Sequence, residues 1–120
     1  MIKILTNMPD KIVGIRASGT VTAEDYESVL IPTIEERLKK QGPIRLLYVL
    51  DCSVTDFSLG AMWDDTKLGF QHLQDFERIA IVTDDHLMRG MVHAFQFAMP
   101  KFLRVFPLDE EDAAIEWLKV

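Results

Sequence analysis

One stretch limits the choice of fold more than any other. Ile44-Arg45-Leu46-Leu47-Tyr48-Val49-Leu50 is apolar except for Arg45. It follows a segment of helical periodicity that Gly42 closes. A half-buried strand alternates apolar and polar residues, whereas a strand covered on both faces reads as a continuous apolar run. The run is therefore a parallel strand at the centre of a sheet, with helices on its faces. A second such run, Ile79-Ala80-Ile81-Val82, lies beyond another helical segment.

The rest of the chain fits around these two strands. Ile2-Lys3-Ile4-Leu5 is a short strand, and Pro9 and Asp10 form a turn. Ile12 to Ser18 is the second arm of an antiparallel hairpin, with Val13, Ile15 and Ala17 on one face and Arg16 and Ser18 on the other. Thr22-Ala23-Glu24-Asp25 has the form of a capping box, so a helix begins at Thr22. Tyr26, Val29, Leu30, Ile34 and Leu38 form its inner stripe, and Pro32 predicts a kink. Ser58 caps a second helix, on which Leu59, Met62, Trp63, Thr66, Phe70 and Leu73 share a face. Asp84 or Asp85 caps a third, which runs to about Met99 and stops at Pro100. Phe102 to Phe106 is the last strand. Asp109 to Asp112 open a final helix, where carboxylates suit the positive end of the dipole. Its buried face is Ala113, Ala114, Trp117 and Leu118. The order ββαβαβαβα predicts an α/β domain with a mixed five-stranded sheet and four helices.

Composition narrows the function classes. At 120 residues the chain suits one domain, residues 1–120, large enough to fold without a metal or disulfide. A net charge of −6 and a pI of about 4.9 argue against a nucleic-acid binder, whose affinity rests on neutralising phosphates. Cys52 is the single cysteine, so no internal disulfide forms, which fits a reducing cytosol. The N-terminus lacks the apolar run of a signal peptide. The expected location is the cytoplasm, with peripheral contact to a membrane left open.

Several patterns of chemistry are missing. Neither HxxxH nor HExxH occurs, and Asp65 and His72, seven apart, stand too far along a helix to share a metal. There is no Gly-rich phosphate loop. Cys52 has no adjacent histidine, and Asp51 beside it opposes a thiolate, so its role is structural. Asp64 and Asp65 read as the wet side of their helix, with Lys67 one turn from Asp64. No nucleophile and base stand in a coherent arrangement. The expectation is a protein that is not an enzyme and needs no cofactor or metal.

The middle helices carry the unusual feature. Met88, Met91, Phe95 and Met99 form one stripe, while Leu87, Val92, Ala94, Phe97 and Ala98 fill much of the remaining circumference. A methionine stripe alone is ordinary core, since the thioether fills irregular gaps. A helix apolar nearly all round needs a second apolar partner. A second subunit, an apolar ligand or a membrane surface would serve.

Thr22-Ala23-Glu24-Asp25-Tyr26, Pro32, Trp63-Asp64-Asp65, Phe76 to Val82, Val105 to Asp109 and Ala114 to Leu118 together resemble the SpoIIAA-like family of small bacterial proteins. The likeness covers nearly the whole chain. That family is similar to STAS domains, the fold of anti-sigma-factor antagonists, and in shape to the lipid-binding CRAL-TRIO domain. The resemblance implies a STAS-like fold with no established enzymatic activity. It also implies apolar-ligand binding and peripheral membrane contact. With the residue pattern, it gives a candidate ligand site between the sheet and the two middle helices, lined by Met62, Trp63, Phe70, Met88, Met91 and Phe95.

The alternative is a regulatory protein–protein module. Anti-sigma-factor antagonists carry a phosphorylatable serine in Asp-Ser-Ser-Gly after the central strand. Ser58 in Asp56-Phe57-Ser58-Leu59-Gly60 is the residue nearest that place. Phe57 stands where a small residue would be and the glycine is displaced, so Ser58 also reads simply as an N-cap.

Overall fold

A computed structural model describes residues 1–98 and 102–120, leaving aside the side chains of Val54, Gly69, Phe70, Leu73, Phe95 and Ala98. Among the described residues are five strands: β1 (Ile2–Leu5), β2 (Ile12–Ser18), β3 (Ile44–Asp51), β4 (Phe76–Thr83) and β5 (Leu103–Phe106). They pair in the order β1-β2-β3-β4-β5, with the first pair antiparallel and the others parallel. The expected mixed sheet and the central place of Ile44 to Leu50 are both found.

Among the described residues four helices longer than a single turn accompany the sheet. Helix α1 is continuous through Ala23–Asp25, Tyr26–Leu30 and Ile31–Gln41; α2 is Leu59–His72, α3 is His86–Ala98 and α4 is Glu111–Lys119. Each parallel step from β2 to β5 moves one place in the same direction across the sheet. Right-handed crossovers then put α1, α2 and α3 on one face. Val13, Ile15, Leu46, Tyr48 and Leu50 meet Tyr26, Leu30 and Ile34 there. Helix α4 covers the opposite face, where Ala114 and Leu118 pack on Ile12, Leu47, Val49, Ala80 and Val82. Ala113, expected inside, is exposed.

Polar groups anchor α4 at both ends. Arg16 Nη2 donates to Glu111 Oε2 at 3.1 Å at its start. At its end Arg78 Nη1 donates to the Trp117 carbonyl at 2.9 Å, and Arg45 donates to the Leu118 carbonyl. Acidic groups at the N-terminus and cations at the C-terminus oppose the helix dipole.

The capping box at Thr22 is present: Asp25 N–H donates to Thr22 Oγ1 at 3.2 Å, and Thr22 N–H to Asp25 Oδ2 at 2.9 Å. Pro32 acts one turn earlier than a simple kink would. The backbone over Tyr26–Leu30 is a π-turn, closed by Ile31 N–H donating to the Tyr26 carbonyl five residues back. Pro32, with no N–H to offer, sits in the first turn of the α-helical segment that follows. Gly42 ends the helix at φ 77°, a conformation that costs a glycine little.

Candidate functional site

The helix α2 is rotated from its expected setting. Leu59 and Trp63 are 85% and 64% exposed, while Ala61, Asp64 and Leu68 are buried. The small residues explain this. A side-chain carbon added at Gly60 would stand 2.9 Å from Ala23 Cβ, so α2 approaches α1 along its smallest surface. Backbone bonds fix the same approach: Val21 N–H donates to the Asp56 carbonyl and Ser58 N–H to the Val21 carbonyl, both at 2.9 Å. Ser58 Oγ accepts from Ala61 N–H at 3.0 Å and caps α2. Close packing of small side chains outweighs burial of the larger ones, because tight contact recovers dispersion along the whole line of approach.

Asp64 and Asp65 do not share a wet helix face: Asp65 is exposed and Asp64 is not. Asp64 is buried, its Oδ2 has no hydrogen-bond partner among the described residues, and no pairing with Lys67 is present among them. Asp65 lies at the open side of the cavity described next, within reach of Tyr26 on α1.

A cavity of about 470 Å³ lies between the sheet and α1, α2 and α3. Leu46, Tyr48 and Leu50 of β3 and Ile79 and Ile81 of β4 form its floor. Tyr26, Leu30 and Ile34 of α1 line one side. Met62, Asp65, Thr66 and Leu68 of α2, with Met88, Met91 and Val92 of α3, close the rest. The volume lies in the usual range for small-molecule sites, and the wall is overwhelmingly apolar.

Met62, Met88 and Met91 thus line the cavity. Trp63, expected with them, lies on the outer surface of α2 and is not a lining residue. The side chains of Phe70 and Phe95 lie outside the described residues, as does Met99. Sequence reasoning did not foresee Tyr26, Tyr48 and Asp65 as a set. The available signal was two tyrosines at core positions, whose hydroxyls need partners when buried.

Those three residues form the polar feature of the cavity wall. Tyr26 Oη lies 2.7 Å from Tyr48 Oη and donates to Asp65 Oδ1 at 2.8 Å. A phenol has one proton. Tyr26 gives its proton to Asp65, so the Tyr48 hydroxyl donates to Tyr26. Burial raises both tyrosines well above their ordinary range, and the Asp65 charge adds to this, so both stay neutral donors. Burial likewise raises the Asp65 carboxyl, against the opposing effect of the Tyr26 hydrogen bond. Asp65 is reached by water through the open side of the cavity, yet protein surrounds it closely elsewhere.

Other candidate groups stay apart from this site. Burial, with the nearby Asp56 charge next, pushes the half-buried Cys52 thiol up to about 11. His72 Nδ1 lies 2.9 Å from Asp75 Oδ2. Asp85 caps α3 by accepting from Met88 N–H at 3.0 Å, and Asp84 accepts from Leu108 N–H at 2.9 Å. No metal-ligating cluster occurs among the described residues. Among them no helix is long and apolar enough to cross a membrane.

No curated protein matches the chain. A solved structure does: an uncharacterised protein of the DUF3478 family with a SpoIIAA-like fold, from Shewanella loihica PV-4. It is 30% identical with a TM-score of 0.72, over 98% of this chain and 92% of that one. The profile of the SpoIIAA-like family matches residues 12–119, from the first residue of β2 to the last of α4. With the same strand order and helix count found in the structure, the chain belongs to the SpoIIAA-like family.

Proposed function

We propose that the protein is a non-enzymatic binding domain for an apolar small molecule or lipid-like chain, held between the sheet and helices α2 and α3. The observation that carries this is the cavity of about 470 Å³ with its almost wholly apolar wall. Filling such a space hides apolar surface from water, at about 25 cal/mol per Å² before the costs of association. Three methionines on the two covering helices give the wall side chains that adapt to a guest.

Titration calorimetry with 1-decanol tests this reading. Saturable one-to-one binding is expected, weakened about tenfold or more by Ile81→Phe, which fills the cavity from its floor. No binding by the wild type, or equal binding by the folded variant, contradicts it.

Peripheral membrane contact belongs to the same proposal. Trp63, Leu59, Leu87 and Phe97 are exposed on the covering helices, Phe97 at 92%. The net charge of −6 gives no attraction to anionic lipid, so contact would rest on apolar side chains. A blue shift of Trp63 emission with neutral phosphatidylcholine vesicles is the expected sign.

A second reading is a regulatory module that engages a partner protein through Ser58. Its support is the place of Ser58 at the start of α2, where a phosphate would lie at the positive end of the helix dipole. Mass spectrometry of protein from its native host, searching for phosphate on Ser58, separates the two readings.

A further inference from the structure

We infer that the cavity selects an apolar chain whose polar end is a hydrogen-bond donor, a hydroxyl or an ammonium group, over the same chain ending in a carboxylate. The inference rests on the cavity-binding reading above and comes from counting protons on the wall. The lining includes three hydroxyls, those of Tyr26, Tyr48 and Thr66. Each has one proton to give. Tyr26 gives its proton to Asp65 at 2.8 Å. Tyr48 gives its proton to Tyr26 at 2.7 Å. Thr66 gives its proton to the Met62 carbonyl at 3.0 Å. The hydroxyl donors of the wall are therefore all engaged inside the protein.

What faces the cavity is accepting capacity. Asp65 Oδ2 accepts no hydrogen bond among the described residues, and Oδ1 holds only the one from Tyr26. No lysine, arginine or histidine is among the described lining residues. With Asp65 ionised, a carboxylate end group would bring a second negative charge beside it, with neither a cation nor a free hydroxyl donor among the described lining residues to receive it. Removing a charge from water without a partner is costly, so this end group is selected against. A hydroxyl or ammonium end group supplies the missing donor, and its bond to an ionised acceptor is a strong one.

The test is calorimetry at about pH 8 with 1-decanol, decylamine and decanoate, which share one chain and differ at the end group. Both donors are expected to bind about tenfold or more tightly than decanoate. Asp65→Asn presents an amide that also donates. It should weaken decylamine, strengthen decanoate and bring the two within about threefold. Asp112→Asn, an exposed carboxylate on α4, should change neither and controls for general attraction of a cation to an acidic protein. Equal binding of all three by the wild type overturns the inference and leaves the cavity reading intact. Binding of none overturns both. Should Asp65→Asn fail to fold, the wild-type ranking decides alone.

Discussion

Tyr26 and Asp65 belong to different helices, and their side chains meet at 2.8 Å on the wall of the cavity. The contact depends on two departures from regular structure. A π-turn begins at Tyr26, upstream of Pro32, and α2 is turned to lay Gly60 against Ala23. Tyr48 completes the set from the central strand. Helices α1 and α2 are thus tied to the cavity floor by one short chain of hydrogen bonds.

Asp65 sets a pH dependence whose sign is fixed. Burial holds its folded carboxyl above the ordinary 3.8, at which the unfolded chain ionises. Between those two values the folded state keeps a proton that the unfolded state has lost, so stability falls as pH rises through the window. Asp65→Asn removes this loss. Its urea midpoint should exceed that of the wild type at neutral pH, and the gap should close as pH falls toward 3.8. A constant gap across that range would show that Asp65 is not the titrating group.

The two tyrosines should differ in cost. Tyr48→Phe removes one donor and leaves Tyr26 bonded to Asp65, for a loss of about 1 kcal/mol. Tyr26→Phe strips partners from both Tyr48 and Asp65, for a loss of about 2–3 kcal/mol. Urea denaturation measures both. Equal losses would mean that Tyr26 is not the centre of the set.

Helix α2 gives a contrast opposite to that expected from hydrophobicity. Gly60→Val should cost about 1–3 kcal/mol, because its Cβ meets Ala23 Cβ at 2.9 Å. Trp63→Ala should change stability by less than about 0.5 kcal/mol, since Trp63 is exposed. Thermal melts of the two variants check the ranking; a larger loss for Trp63→Ala would put Trp63 back in the core.

Particular residues show what the sequence revealed. Ile44 to Leu50 declared the central strand, since an unbroken apolar run has few other homes. The capping box at Thr22 and the caps at Ser58 and Asp85 were readable because each works within four residues. The lining methionines Met62, Met88 and Met91 were readable as an apolar excess. The rotation of α2 was not, because periodicity finds the largest apolar face while packing here chose the smallest. That one choice moved Trp63 outward, buried Asp64 and turned Asp65 to the cavity. The Tyr26–Tyr48–Asp65 set was hidden for the same reason: it joins three elements whose relative setting no local signal records.

Cys52 should be slow to react. Its thiol is pushed up to about 11 from an ordinary 9.0, so near neutral pH its thiolate is about a hundredfold scarcer than that of a free cysteine. Iodoacetamide should modify the folded protein about tenfold more slowly than the protein in urea, since the thiolate of a less acidic thiol is the better nucleophile and offsets part of its scarcity. Equal rates would mean that the thiol lies open to solvent.

The binding reading is tested most directly by methyl NMR of the methionines during titration with 1-decanol. Met62, Met88 and Met91 line the cavity, whereas Met8 packs on the opposite side of the sheet and Met1 is exposed at the N-terminus. The account predicts saturable shifts at Met62, Met88 and Met91, with Met1 and Met8 unmoved. No shift up to the solubility limit of the alcohol, or equal unsaturable shifts at the cavity methyls and at Met1 and Met8 alike, would contradict it.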